Sequence, residues 1–249
     1  MRRIALTIAY DGTAYSGWQA QANAVTVEGT LREAIRRLCG EEVVTIGASR
    51  TDAGVHALGN VVAFDTESPI PGGNWRPALN SFLPQDIRVM RSWEAEDDFH
   101  PRFNAHSKRY EYRIATDEVI SPIRCRYVCG VRETLDLEAM AEGAKAFVGT
   151  HDYSAFCSAG AQTESKVRTV TRCEVYREGP EIVIGVEGDG FLYNMIRILA
   201  GTLIDMGRGA KAPESMSTIL GSLDRAKAGP TAPPQGLMLV RIRYGEDER

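Results

Sequence analysis

Residues 47–57, GASRTDAGVHA, carry the densest chemistry in the chain. Arg50 and Asp52 flank Thr51, and Ala48, Ala53 and Gly54 are small enough to let another backbone approach closely. An arginine within hydrogen-bond reach lowers an aspartate's pKa by about 1–3 units and keeps it ionised. An ionised, oriented carboxylate can act as a nucleophile. The same two residues also suit a structural ion pair in a tight turn. A second candidate is Arg197, the only charge in FLYNMIRILAGTLI, residues 191–204. On a helix, Leu192, Met195, Ile196, Leu199, Ala200 and Leu203 form a broad apolar face, and a helix apolar nearly all round is buried. A buried guanidinium needs an anionic partner. Neither Asp189 nor Asp205 stands three or four residues away, so the expected partner is tertiary, with Asp52 a candidate. The alternative is a side chain that snorkels to solvent.

The third candidate is HSKRYEYRI, residues 106–114. Strand alternation puts Tyr110 and Tyr112 on one face and Arg109 and Arg113 on the other. From Arg102 to Arg132 there are seven basic and three acidic residues, a local surplus in a chain of net charge −4. Together with Lys166, Arg168 and Arg172 it predicts one positive face, with EAEDD at 94–98 and EDER at 246–249 lying away from it. Interleaved cations and aromatics suit RNA, where rings stack on splayed bases and cations meet phosphates. An amphipathic strand with no RNA contact fits the same pattern.

These residues need a scaffold, and the chain is long enough to supply one. Its 249 residues are 43% hydrophobic and 25% charged, which suits one large or two small globular domains. The five cysteines include no CxxC pair, and the four histidines form no HExxH or HxH, so reduced thiols and no metal are expected. No run of eighteen apolar residues is present, which predicts no membrane span. Phosphate-loop, dinucleotide and serine-hydrolase motifs are missing too. The pattern predicts strands over 3–10, 43–48, 60–66, 87–93, 108–114, 170–177, 181–188 and 237–244. Helices are expected over 27–39, 77–82, 135–147 and 191–206, with Thr30 and Glu33 a possible capping box in the first. Both halves then read βαββαβ, the ferredoxin-like order. The expected fold class is α+β: two ferredoxin-like domains, residues 1–104 and 105–249, with antiparallel sheets joined edge to edge and a catalytic cleft between them. KAGPTAPP at 227–234 reads as a loop before the last strand.

Seven segments, in order, give this pattern a family: YDGTAYSGWQAQ (10–21), TVEGTL (26–31), SRTDAGVHA (49–57), ALNSFLPQDIRV (78–89), SKRYEYRI (107–114), GFLYNMIR (190–197) and APPQGLMLV (232–240). The chain resembles the TruA family of tRNA pseudouridine synthases. The resemblance implies that Asp52 is the catalytic aspartate, Tyr110 the active-site tyrosine against the target base, and Arg197 the arginine paired with the aspartate. It also implies substrate-binding roles for Arg50, which assists extrusion of the uridine, for His56 and for Tyr110. The implied substrate is uridine on the 3′ side of the tRNA anticodon stem-loop, positions 38–40. A homodimer, a cytoplasmic location, no metal and no small-molecule cofactor are implied as well. Two rival readings are a non-catalytic RNA-binding module and a carboxylate glycosidase. The first lacks recognisable RNA-recognition aromatics. The second lacks another acid near Asp52 within its loop.

Overall fold

The computed structural model describes residues 1–160 and 163–245; the EDER tail lies outside the described residues. The fold is mixed α/β and divides into two compact units, Met1–His106 with the chain from Leu239 onward, and Ser107–Met238. The first unit contains β1 (Arg2–Tyr10), α1 (Val27–Cys39), β2 (Thr45–Gly47), β3 (His56–Thr66), α2 (Trp75–Asn80) and β4 (Ile87–Ala95). The second contains β5 (Ser107–Ala115), β6 (Cys129–Gly130), α3 (Leu137–Lys145), β7 (Gly149–Asp152), β8 (Val167–Glu178), β9 (Glu181–Gly188), α4 (Met195–Gly207) and α5 (Ser215–Ser222). The last strand, β10 (Leu237–Arg243), lies beside β3. That pairing is why the chain from Leu239 counts with the first unit, whereas the sequence reading kept all of 105–249 together.

In the first unit the strand order is β4-β1-β3, with β2 also on β3. β1 runs antiparallel to both β3 and β4. Alternate residues Ile4, Leu6 and Ile8 of β1 are fully buried, as are Leu31 and Ile35 of α1 and Trp75 and Leu79 of α2. The Trp75 ring meets Phe64 edge-on with centroids 5.1 Å apart. The first helix starts one turn before the expected box: Thr26, not Thr30, caps it, its hydroxyl accepting from Gly29 N at 3.2 Å. Thr30 instead donates to the Thr26 carbonyl, and Glu33 pairs with Arg36.

In the second unit the order is β5-β9-β8-β7, antiparallel throughout, with the two-residue β6 added parallel to β5. The strands β6 and β7 and the helix α5 were not expected. Two or four residues of strand are too short to show alternation, and SMSTILGS is a short, weakly patterned helix. α4 is buried at every position but Arg197 and Asp205. It starts at Met195 rather than 191 because Asn194 is left-handed, φ 60°. Phe147 anchors the core with Tyr153 and Phe156 at 4.8 and 4.9 Å between centroids. All five cysteines are free thiols, and burial raises the pKa of Cys129, Cys157 and Cys173. Those three thiols are held in the protonated form, the unreactive one.

Candidate active site

The GASRTDAGVHA loop connects β2 to β3 and is seated on the YDGTAYSGW segment that follows β1. The grip is made of neutral hydrogen bonds. Trp18 N donates to the Thr51 carbonyl at 3.0 Å, and Gly54 N donates to the Tyr15 carbonyl at 3.3 Å. Within the loop, Val55 N donates to the Asp52 carbonyl at 3.1 Å. Two glycines make the approach possible. A Cβ on Gly12 would strike the Val55 carbonyl. Gly17, at φ +88°, would put a Cβ 2.8 Å from the Thr51 oxygen. From below, Tyr10 and Thr51 share a hydrogen bond between hydroxyls at 2.8 Å. Tyr15 donates to Asp86 Oδ1 at 2.7 Å, and burial and that bond raise its pKa far beyond the ordinary phenol value.

Asp52 therefore stands on a loop whose backbone is fixed on both sides, with its side chain half-buried. Arg50 is exposed. Among the described residues no ion pair joins Arg50 to Asp52, so the expected local pair is not formed. An arginine free of the turn remains available to an anion outside it. His56 is 2% exposed. Its Nδ1 accepts from Gly12 N at 3.0 Å and lies 3.2 Å from Asp11 Oδ1. The structure thus places His56 beneath the loop, as a side chain that ties β3 to the Gly12 turn.

The second unit presents Tyr110 and Arg197. Tyr110 faces Val186 of β9 and is 7% exposed; its ring receives Phe191 edge-on, centroids 5.3 Å apart. Its neighbour Tyr112 is wholly buried and donates to the Pro233 carbonyl at 2.9 Å. Arg197 is half-buried. Its Nε donates to the Ala232 carbonyl at 2.8 Å, and Ala232 N donates back to the Arg197 carbonyl at 3.0 Å. Its Nη1 donates to Asn194 Oδ1 at 2.8 Å. The left-handed Asn194 is an uncommon conformation for a residue with a Cβ, and asparagine tolerates it best. The sequence reading looked only for acids around Arg197 and missed this amide three residues back. The 227–234 loop is pinned to α4 by the Arg197 bonds to Ala232 and by a bond of 2.8 Å from Gly229 N to the Thr202 hydroxyl, while Arg225 braces the loop by donating to the Gly229 carbonyl and the Thr231 hydroxyl.

Part of the basic surplus expected around β5 is paired within the protein. Arg109 pairs with Glu111 and Glu174, Arg113 with Glu111, Glu178 and Glu181, Arg124 with Asp117 and Glu181, and Arg172 with Glu174. Gly185 leaves the gap through which Arg109 crosses β9 to reach Glu174 on β8; a Cβ there would lie 2.9 Å from its Nη2. Burial alone would lower the pKa of Arg113, but its bonds to Glu181, Glu178 and Glu111 raise it. Apart from Glu111 and Asp117, the acids come from β8 and β9, distant in sequence from 102–132. A count along the segment could not register them.

Comparison with known proteins decides what this assembly of residues belongs to. Residues 6–104 and 144–245 match the family model described as tRNA pseudouridine synthase. The chain belongs to the tRNA pseudouridine synthase family. The members of that family are isomerases that convert uridine to pseudouridine in tRNA. The match includes the Asp52 loop and the start of α4 but not Tyr110. Relatives extend across the whole chain. The tRNA pseudouridine synthase A of Syntrophomonas wolfei is 45% identical over 249 residues, all of both chains. That of Acetivibrio thermocellus is 47% identical over 244 residues, 98% of this chain and all of the other. A solved archaeal box H/ACA sRNP Nop10–Cbf5 complex shares 13% identity at TM-score 0.36, covering 98% of this chain and 50% of the other. Among the described residues of this synthase, no helix is long and apolar enough to cross a membrane, and no group of three His, Cys, Asp or Glu could hold a metal ion.

Proposed function

We propose that this synthase isomerises uridine on the 3′ side of the tRNA anticodon stem-loop, positions 38–40, with Asp52 as the nucleophilic carboxylate. The observation that carries the reading is the Asp52 loop itself: a carboxylate on a turn whose backbone is hydrogen-bonded to the segment after β1, in a chain whose family match spans that turn. The reaction breaks the N1–C1′ glycosidic bond and forms C5–C1′; the C5 proton leaves and N1 gains one. Nothing is oxidised or reduced, so the protein's task is to hold the base, exclude water and manage protons. A carboxylate can attack C1′ or assist elimination at the sugar, and both routes use the same fixed Asp52. The uridine must be flipped out at a cost of a few kcal/mol. Arg50, exposed beside the loop, is suited to a phosphate or to the gap left by the base. Tyr110 supplies an aromatic face for the uracil, worth about 1–3 kcal/mol if the base stacks on it. Arg197, oriented by Asn194 and Ala232, is assigned to the Asp52 carboxylate. His56, assigned to substrate binding by resemblance, acts by supporting the loop.

The same reading includes a homodimer acting in the cytoplasm and two ferredoxin-like domains, residues 1–104 and 105–249, joined edge to edge around a cleft. The β4-β1-β3-β2 order of the first unit supports the ferredoxin-like assignment there. Incubation with unmodified tRNA followed by mapping of pseudouridine tests the proposal. Pseudouridine confined to the 3′ side of the anticodon stem-loop is expected. Modification of other regions, or none, overturns the substrate assignment.

A further inference from the structure

The YDGTAYSGW segment and the start of β3 contain buried polar groups to which the reaction assigns no chemistry. Asn60 is wholly buried. Its Nδ2 donates to the Ser49 carbonyl at 3.0 Å and to the Tyr10 hydroxyl at 3.3 Å, while its Oδ1 accepts from Val61 N at 3.0 Å. These bonds fix the amide's orientation. The Tyr10 oxygen that accepts from Asn60 also shares a hydrogen bond with Thr51 Oγ1, 2.8 Å away, in which either hydroxyl can donate. One side-chain amide thereby holds Ser49 directly and Thr51 through Tyr10, the residues on either side of Arg50, the second of them adjacent to Asp52.

The strand is shaped to allow this. Ile8 pairs with Asn60, but Tyr10 pairs with Ala57, so β3 carries one extra residue between them. Such a bulge re-aims side chains and is common beside active sites. An apolar core would be cheaper than a buried amide unless every bond is satisfied, and here every bond is directed at the loop or its strand.

We propose that Asn60 and Tyr10 are positioning residues for the isomerisation: their hydrogen-bond chain through Thr51 sets the placement of the Asp52 carboxylate. The inference rests on the assignment of the reaction to Asp52. An error of about 1 Å in placing a reacting group can cost about 100-fold in rate. The chain is short and each link can be cut without removing a ring or changing a charge.

The test compares Tyr10→Phe, Thr51→Val, their double variant and Thr51→Ser with the unaltered enzyme. Three quantities are read: single-turnover tritium release from C5-labelled uridine in tRNA, tRNA affinity, and amide hydrogen exchange of residues 49–55. Tyr10→Phe and Thr51→Val should each slow single turnover by about 10- to 100-fold with tRNA affinity little changed. The double variant should be no slower than the slower single one, because both cut one bond. Thr51→Ser should restore the rate, and exchange at 49–55 should rise only in the impaired variants. Wild-type turnover in both single variants, multiplicative losses in the double, or unaltered exchange overturns the proposal. Asp52→Asn run in parallel separates the two claims. If it turns over normally, the carboxylate assignment fails. The hydrogen-bond chain is still decided by whether Tyr10→Phe slows the reaction and loosens residues 49–55.

Discussion

The Asp52 loop and the arginine face of β5 both carry charged side chains, yet they are held in opposite ways. The loop is fixed by neutral partners: backbone amides of Trp18 and Gly54, hydroxyls of Tyr10 and Thr51, and the Asn60 amide. The β5 face is fixed by charge, with Arg109 and Arg113 shared among Glu111, Glu174, Glu178 and Glu181. Charges that bind each other are spent on structure and are unavailable to a polyanion. A scaffold of neutral bonds shapes the backbone of the turn that carries Asp52. Arg197 follows the loop's pattern within its own unit, since an asparagine oxygen and a carbonyl orient it.

The sharpest way to break the neutral side of this comparison is steric. Gly12→Ala drives a methyl into the Val55 carbonyl and must push the loop off its seat. Turnover should fall by about 100-fold or more, with no charge altered. Single-turnover assays at saturating tRNA check this, and a rate close to that of the unaltered enzyme would show that the loop's seat does not govern Asp52.

On the charged side, Arg113→Met leaves Glu111, Glu178 and Glu181 facing one another without their shared cation. The loss of stability should be about 1–3 kcal/mol. For a chain of this size that is about 2–4 °C in Tm per kcal/mol. Affinity for tRNA should scarcely change, because this guanidinium is already occupied. A large drop in tRNA affinity with an unchanged Tm would return β5 to the role of an RNA-binding face.

The smallest effect belongs to a half-buried pair. Arg3 donates to both oxygens of Asp65 at 2.8 Å, and that bond holds the Asp65 carboxyl below the ordinary aspartate pKa. A carboxyl depressed on folding stabilises the protein above its unfolded pKa, near about 3.9, and that contribution is lost as the pH falls through the lower folded value. Solvent screens the pair, so Arg3→Gln should cost less than about 1 kcal/mol at pH 7. The difference should narrow on acidification towards about pH 3. Paired denaturant titrations at the two pH values measure it; a gap that widens in acid contradicts the assignment.

Much of this was legible in the chain. Helical spacing marked α1, and the βαββαβ order of the first unit was readable because long strands and their separating helices have distinct periods. Asp52 stood out because one acid sits among small residues in a strand-to-strand loop. What stayed hidden depends on groups far apart in sequence. Neutral oxygens were missed around Arg197 because any backbone carbonyl qualifies and none is marked by residue type. The glutamates on β8 and β9 that quench the β5 arginines lie about 65 to 70 positions away from them, and only the antiparallel register brings them together. Asn60 opens the strand expected over 60–66, and its placement follows from a bulge that no residue type announces.

The central claim is that Asp52 performs the isomerisation on a loop built to hold it. Tritium release from C5-labelled uridine in unmodified tRNA, compared between the unaltered enzyme and Asp52→Asn, tests it most directly. Asparagine keeps the shape and the loop's neutral bonds while removing the charge. The account predicts that Asp52→Asn still binds tRNA and releases no tritium above background. Release at the rate of the unaltered enzyme would contradict it.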